Sequence, residues 1–289
     1  MQPTLVWHFA HGIVSRANIG AMPTPDLASL GALAERGDGR DRAFVDGVVR
    51  VRWARASDDA ERARLLELER AVQAASLAAH ALLRAEIAGA KLSREALRQL
   101  FDAVPAAERD HFVEEVLGIA YPPLDEPEPE PEPELVAYTP SGYDEILHAL
   151  DVTQLAPGQR FLDIGSGLGK AVMLAALLAG ASSVGVERDG RLHELAEDAA
   201  RSLGLEQARF ERADALELLA DDPDVVFMYL PFTGTTLARV LARLLEAGRT
   251  GPPRRRDRFL CSALLEPGRY AELVPVGPPK SWLQVYAWR

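Results

Sequence analysis

The chain has 289 residues, 48% of them hydrophobic and 26% charged, enough to bury a sizeable core and too apolar for global disorder. At the usual ~100–200 residues per domain it amounts to roughly two domains. The net charge is −11, but six acids and no base fall within residues 121–134, so the flanking regions are nearly balanced and neither presents a basic face for nucleic acid.

No stretch reaches the ~18 uninterrupted apolar residues of a membrane span, and the N-terminus lacks the order of a signal peptide. The single cysteine, Cys261, excludes an internal disulfide framework and a cysteine-based zinc site. A cytoplasmic protein is the expectation. Lysines number three (Lys91, Lys170, Lys280) among 32 basic residues, a compositional bias toward arginine. His8 and His11 have ligand-like spacing but no acidic or histidine companions, so they read as packing residues and no metal is expected.

In chain order, the signals are first helical. Thr24-Pro25-Asp26 offers an N-cap with proline at the first helical position, followed by Leu27, Leu30 and Leu33. Residues 41–55 are ambiguous, because Val49, Val51 and Trp53 alternate like a strand. Residues 58–88 predict one long helix or a helical pair; Ser93 starts another, and Pro105 a third that ends near Gly118. The predicted architecture of residues 1–120 is therefore a mainly helical N-terminal domain.

Residues 121–135 contain PPLDEPEPEPEPE, which can form neither helix nor central strand because proline lacks the amide hydrogen and like charges repel. This predicts an extended acidic linker, open to proteases, with residues 136–289 able to fold alone beyond it. There the pattern becomes α/β: apolar runs at 160–164, 182–187, 208–212, 224–230 and 258–264 are separated by helical stretches. That alternation predicts a parallel, Rossmann-like sheet covered on both faces. Runs at 271–276 and 282–288, joined by only five residues, predict a terminal antiparallel hairpin and a seven-stranded, mostly parallel sheet.

The sharpest motif is FLDIGSGLGK (161–170), an apolar strand ending in Asp163 that turns through Gly165, Ser166, Gly167 and Gly169 into a helix. Glycines there permit a tight turn and close backbone approach to a ligand, and the helix N-terminus favours negative charge. The third glycine comes one position too early for the dinucleotide fingerprint, and a carboxylate at Asp163 repels pyrophosphate. It suits a ligand bearing an ammonium. Glu187 ends the next strand, where an acid can accept both hydroxyls of an unphosphorylated ribose, and Asp214 follows the third, where a carboxylate can accept from an adenine amino group. Together they specify an adenosine ligand with an amino-acid tail.

FLDIGSGLGK, VGVERD, FERADA and VVFMYLPF together resemble the motifs of class I S-adenosylmethionine-dependent methyltransferases, over residues 136–289. Within that superfamily the chain is similar to the non-SET protein-lysine methyltransferases of the disruptor-of-silencing type and their small prokaryotic and mitochondrial relatives. The shared features are the lead-in Ala137-Tyr138-Thr139-Pro140, the Asp-Ile-Gly-Ser-Gly loop, Gly185-Val186-Glu187, Tyr229-Leu230-Pro231 and the close at Tyr286-Ala287-Trp288.

The resemblance implies that Tyr138 and Thr139 cover the amino-acid end of S-adenosyl-L-methionine. It gives Asp163, Gly165, Ser166, Gly167 and the loop's Gly169 the tail, Glu187 the ribose, and Asp214 with Ala215 the adenine. Tyr229 and Pro231 then line an aromatic channel beside the reacting methyl, with Tyr229 standing where the histone-directed group has asparagine. The implied reaction is N-methylation of a protein lysine or a small-molecule amine. A small-molecule O- or N-methyltransferase and a non-catalytic adenosylmethionine-binding module are the alternatives.

Overall fold

A computed structural model describes residues 26–127, 129–130, 132–217, 223–229, 231–250, 258–263, 265 and 269–288. His8, His11 and the Arg254-Arg255-Arg256 run lie outside the described residues. The chain opens with α1 (Leu27–Arg36), α2 (Gly39–Trp53), α3 (Asp59–Ala79), α4 (Ala81–Ala88), α5 (Arg94–Asp102) and α6 (Ala106–Leu117).

Asp26, Asp38, Asp58 and Ser93 cap α1, α2, α3 and α5 by accepting from first-turn amides. The cap of α1 is thus Asp26, while Thr24 and Pro25 lie outside the described residues. The strand-like alternation at 41–55 belongs to α2, for two reasons. Asp38 and Asp41 form a capping box, and Val45, Val48 and Val49 bury one helical face.

After α7 (Tyr143–Thr153) come β1 (Arg160–Ile164), α8 (Lys170–Leu174) running into a π-helical turn (Ala175–Ala179), β2 (Ser182–Glu187), α9 (Gly190–Ser202) and β3 (Ala208–Arg212), the predicted α/β alternation except that among the described residues no helix separates β3 from β4. Then come β4 (Val225–Met228), α10 (Gly234–Thr250), β5 (Arg258–Ala263), β6 (Leu273–Lys280) and β7 (Leu283–Trp288). The strands form one seven-stranded sheet in the order β3-β2-β1-β4-β5-β7-β6. Pairing is parallel from β3 to β5, while β7 is antiparallel to both β5 and β6.

Two cores lie on the two faces of the sheet. On one face Phe161, Val225, Phe227, Cys261 and Val285 pack with Ile87, Leu97, Phe101, Val113, Val116 and Leu117 from α4, α5 and α6. On the other, Leu162, Ile164, Val226, Met228 and Leu260 pack with Val240, Leu241 and Leu244 of α10. A third cluster joins α1, α2 and α3 through Leu30, Val45, Val49, Leu65 and Val72. The apolar surface of α4–α6 thus belongs to the same continuous core as that sheet face.

The described residues of the Pro/Glu segment form neither helix nor strand, as expected, but they turn at 123–126 and 132–135 and do not make a free spacer. Val136 N donates to Pro231 O, Leu135 bridges Phe232, and the Arg188 guanidinium donates to both carboxylate oxygens of Glu132. Arg191 donates to Pro127 O. Glu134 accepts from the amides and hydroxyls of Thr235 and Thr236, the first turn of α10, and so caps that helix from far upstream in the chain. Those amide and hydroxyl donors, Thr235 first, bring its carboxyl down to about 2.

A strap held at several points resists cutting. A nonspecific protease should therefore cleave residues 121–134 slowly in the native protein and faster in Glu134→Ala, since the alanine removes every side-chain bond to α10. Equal rates would show that these bonds do not restrain the strap.

Candidate functional site

Side chains alternate along β1, so Asp163 shares the face of Phe161, while Leu162 and Ile164 face the opposite core. Asp163 lies in register between Gly185 of β2 and Phe227 of β4, and it is only 4% exposed. Its carboxylate accepts no hydrogen bond from the described residues. Burial, reinforced by the charge of Glu187, pushes that carboxyl well above the ordinary carboxylate range.

The loop that follows turns through three left-handed glycines, Gly165, Gly167 and Gly169, at φ 77°, 53° and 79°. Space forbids a side chain as firmly as backbone angle does: a Cβ at Gly165 would collide with Pro231, and one at Gly167 with the Tyr138 ring. Gly165 N and Ser166 N donate to Val186 O at 2.9 and 3.0 Å, which fixes the loop to β2.

Glu187 also holds the loop. One carboxylate oxygen accepts from Gly167 N at 2.8 Å and the other from Arg188 N and Asp189 N. Of the roughly four acceptor positions on a carboxylate, three are in use. The Ser166 hydroxyl is buried without a hydrogen-bond partner among the described residues.

A small cleft opens over Asp163. Tyr138, Thr139, Pro140 and Ser141 form one wall, Asp163, Gly165 and Ser166 the floor, and Lys170, Ala171, Phe227 and Tyr229 the far side. Burial, with Glu145 nearby, pushes the Tyr229 phenol up to about 12. Burial and the charge of Glu114 raise the Tyr138 phenol as well. Both phenols therefore keep their protons at neutral pH.

Of the sequence-predicted residues, the cleft gathers Tyr138, Thr139, Asp163, Gly165, Ser166 and Tyr229. Pro231 packs on Gly165, and Gly167 lies under Tyr138. Gly169 serves packing, since a Cβ there would come within 2.6 Å of Phe210. Asp214 closes a turn, its carboxylate accepting from Leu216 N at 2.8 Å, and Ala215 packs against the β4–α10 core. These last two stand beyond the end of β3, outside the cleft lining.

Sequence reasoning missed Lys170, Asp110 and Glu114. Lys170 is 3% exposed and pairs with Asp110 at 3.2 Å and Glu114 at 2.6 Å, both from α6. Burial works against its charge, and the two carboxylates outweigh it, so the ammonium stays protonated. The available signals were a lysine directly after the loop in a chain that otherwise uses arginine, and two acids four residues apart on one helix.

Strand order and the glycine loop after β1, with the acid beneath it, define the fold: a Rossmann-like seven-stranded sheet like that of class I methyltransferases, carried with additional N-terminal helices. Within that class, residues 136–212, from the lead-in to the end of β3, match the family model described as histone methylation protein DOT1. No match was found among the curated proteins.

Among solved structures, an RNA methyltransferase from Salinibacter ruber in complex with S-adenosyl-L-homocysteine shares 24% identity, over 52% of this chain and 92% of that one, with a TM-score of 0.43. The putative methyltransferase yhhF from Escherichia coli shares 16%, over 54% and 91%, at 0.44. A point mutant of MtNAS in complex with S-adenosylmethionine shares 12% but spans 91% of this chain and 96% of its own, at 0.43. With identities and scores this low, the fold assignment rests on the strand order and the loop of this chain itself.

Proposed function

We propose that the protein is an S-adenosylmethionine-dependent methyltransferase that methylates a nitrogen, on a lysine or another amine. The observation that carries this reading is Asp163, a buried carboxylate without a hydrogen-bond donor at the floor of the cleft. Leaving it so is costly unless a cationic ligand completes it, and the ligand's α-ammonium is such a group. The partnerless Ser166 hydroxyl beside it offers a second contact to the same end.

On this reading Asp163, Ser166 and the Gly165–Gly167 backbone hold the amino-acid end. Tyr138 and Thr139 close over it. The remaining acceptor position on Glu187 takes one ribose hydroxyl, and Asp214 with Ala215 bounds the adenine side. When bound, S-adenosylmethionine supplies a methyl on a sulfonium that leaves without acid assistance. The protein's part is alignment and exclusion of water, by Tyr229, Phe227 and Tyr138 around the cleft and by Pro231, packed on Gly165, behind it.

Nitrogen is favoured over oxygen because the cleft lining holds no histidine among the described residues to act as base, and Tyr229, at about 12, holds its proton at neutral pH. An amine needs only to arrive neutral, which a dry aromatic surround promotes. The rate should therefore rise with pH as the amine loses its proton. Tyr229→Phe should retain most of the wild-type rate, because the ring and not the hydroxyl forms the wall. A loss of ~10²–10⁴-fold would identify the phenol as a proton-handling group and favour the oxygen-methylating alternative.

A further inference from the structure

The buried Lys170–Asp110–Glu114 cluster joins a helix of the N-terminal half to the helix that leaves the glycine loop. Lys170 is the first residue of α8, and its ammonium meets Asp110 Oδ1 and Glu114 Oε1. The same Asp110 oxygen accepts from Tyr143 N at 2.6 Å, at the start of α7. Residues 138–141, just before that point, are one wall of the cleft, and Lys170 and Ala171 belong to the other. Asp110 thus ties both walls to a single side chain.

One residue further along the same helix, Glu115 faces away from the cleft. It accepts two hydrogen bonds from the Arg42 guanidinium at 2.7 and 2.9 Å, and His80 and His111 each bring Nε2 within 3.1 Å of its carboxylate. α6 is therefore anchored on one side to α2 and the α3–α4 junction, and grips the cleft with the other. Leaving three charges in the interior to make that grip is an expensive way to add stability, since a buried ion pair seldom outperforms well-packed apolar residues. Geometry is what it supplies.

We propose that Asp110, Glu114 and Lys170 are positioning residues for the methyltransferase site: they fix the spacing of the two cleft walls, and with it affinity for the adenosyl ligand. This rests on the reading of the cleft given above. The experiment measures the dissociation constant of S-adenosylhomocysteine by calorimetry, well below the melting temperature, in the full chain. Melting temperature is recorded in parallel.

Wild-type protein is measured first; if it shows no binding, the reading of the cleft fails, and the clamp proposal with it. Given wild-type binding, Glu114→Gln should weaken the ligand tenfold or more, and Lys170→Arg, which keeps the charge, should recover part of the loss that Lys170→Met suffers. Dissociation constants within twofold of wild type in the folded Glu114→Gln and Lys170→Met variants, with lowered melting temperatures alone, would overturn the proposal and leave a purely structural cluster. Should the single variants fail to fold, Glu114→Gln/Lys170→Met removes both opposing charges and carries the same test. Failure of that variant too would make the cluster a folding element and overturn the positioning role.

Discussion

Asp163→Asn should weaken adenosylmethionine binding by on the order of 10–100-fold while making the ligand-free protein more stable. The two effects share one cause. A neutral amide cannot match the charge of an ammonium, and losing one charge-assisted hydrogen bond costs ~1.5–3 kcal/mol. In the free protein, however, the carboxylate is buried at 4% exposure with Glu187 as a like-charged neighbour.

The sign of the pH dependence follows. The folded carboxyl titrates well above its unfolded value of about 3.8, so over the interval between the two the folded state keeps a proton that the unfolded state has released. Stability falls as pH rises through that interval. The gain in melting temperature from Asp163→Asn should therefore be small near pH 4 and grow toward neutrality. Wild-type affinity for the cationic ligand should strengthen over the same range, because the ionised carboxylate is the binding form. A variant that binds as tightly as wild type, or melts lower at neutral pH, would contradict this account of the cleft floor.

The second large effect is expected from removing residues 1–120. Residues 136–289 should not fold alone, although sequence patterning suggests that they would. The core on the sheet face carrying Phe161 and Phe227 runs on through α7, α8 and the π-helical turn to Phe101, Val113, Val116 and Leu117, all essentially fully buried, with α5 packed on the π-helical turn and α6 on α7 and α8. Phe101 also packs edge-on against Tyr143 of α7 at 5.7 Å, and Arg98 forms a two-pronged pair with Asp151. Deleting the helices exposes the outer side of that core and strands Lys170 without its carboxylates. The fragment should be insoluble or lack cooperative melting.

Phe101→Ala in the full chain tests the same core more gently. It should cost ~3–5 kcal/mol, as large-to-small changes at buried aromatic positions do. A fragment that melts cooperatively near the full-length temperature would restore the two-domain reading.

Much of this fold is legible in the sequence because local rules act on it directly. The caps at Asp58 and Ser93, most of the strand–helix alternation and the short terminal link announce themselves within a few residues. The glycine loop is legible for the same reason: no other residue fits its angles and its contacts with Pro231 and Tyr138. α2 misleads because its β-branched valines also suit a strand, and a capping box plus tertiary burial decides the matter.

What the sequence conceals is long-range. The pairing of Lys170 with Asp110 spans 60 residues of chain, and that of Glu134 with Thr235 spans 101. A run of alternating proline and glutamate reports its stiffness but not what its carboxylates will touch. The apolar faces of α4–α6 likewise carry no mark of whether they meet each other or a sheet.

The most direct measurement is to incubate the protein with methyl-labelled S-adenosylmethionine and a cell lysate, and to identify the labelled atom by mass spectrometry. The account predicts label on a nitrogen, as methylated lysine or a methylated amine, with transfer strongly reduced in Asp163→Asn. Label on an ether or ester oxygen, or no transfer at all by protein that binds the ligand, would contradict it.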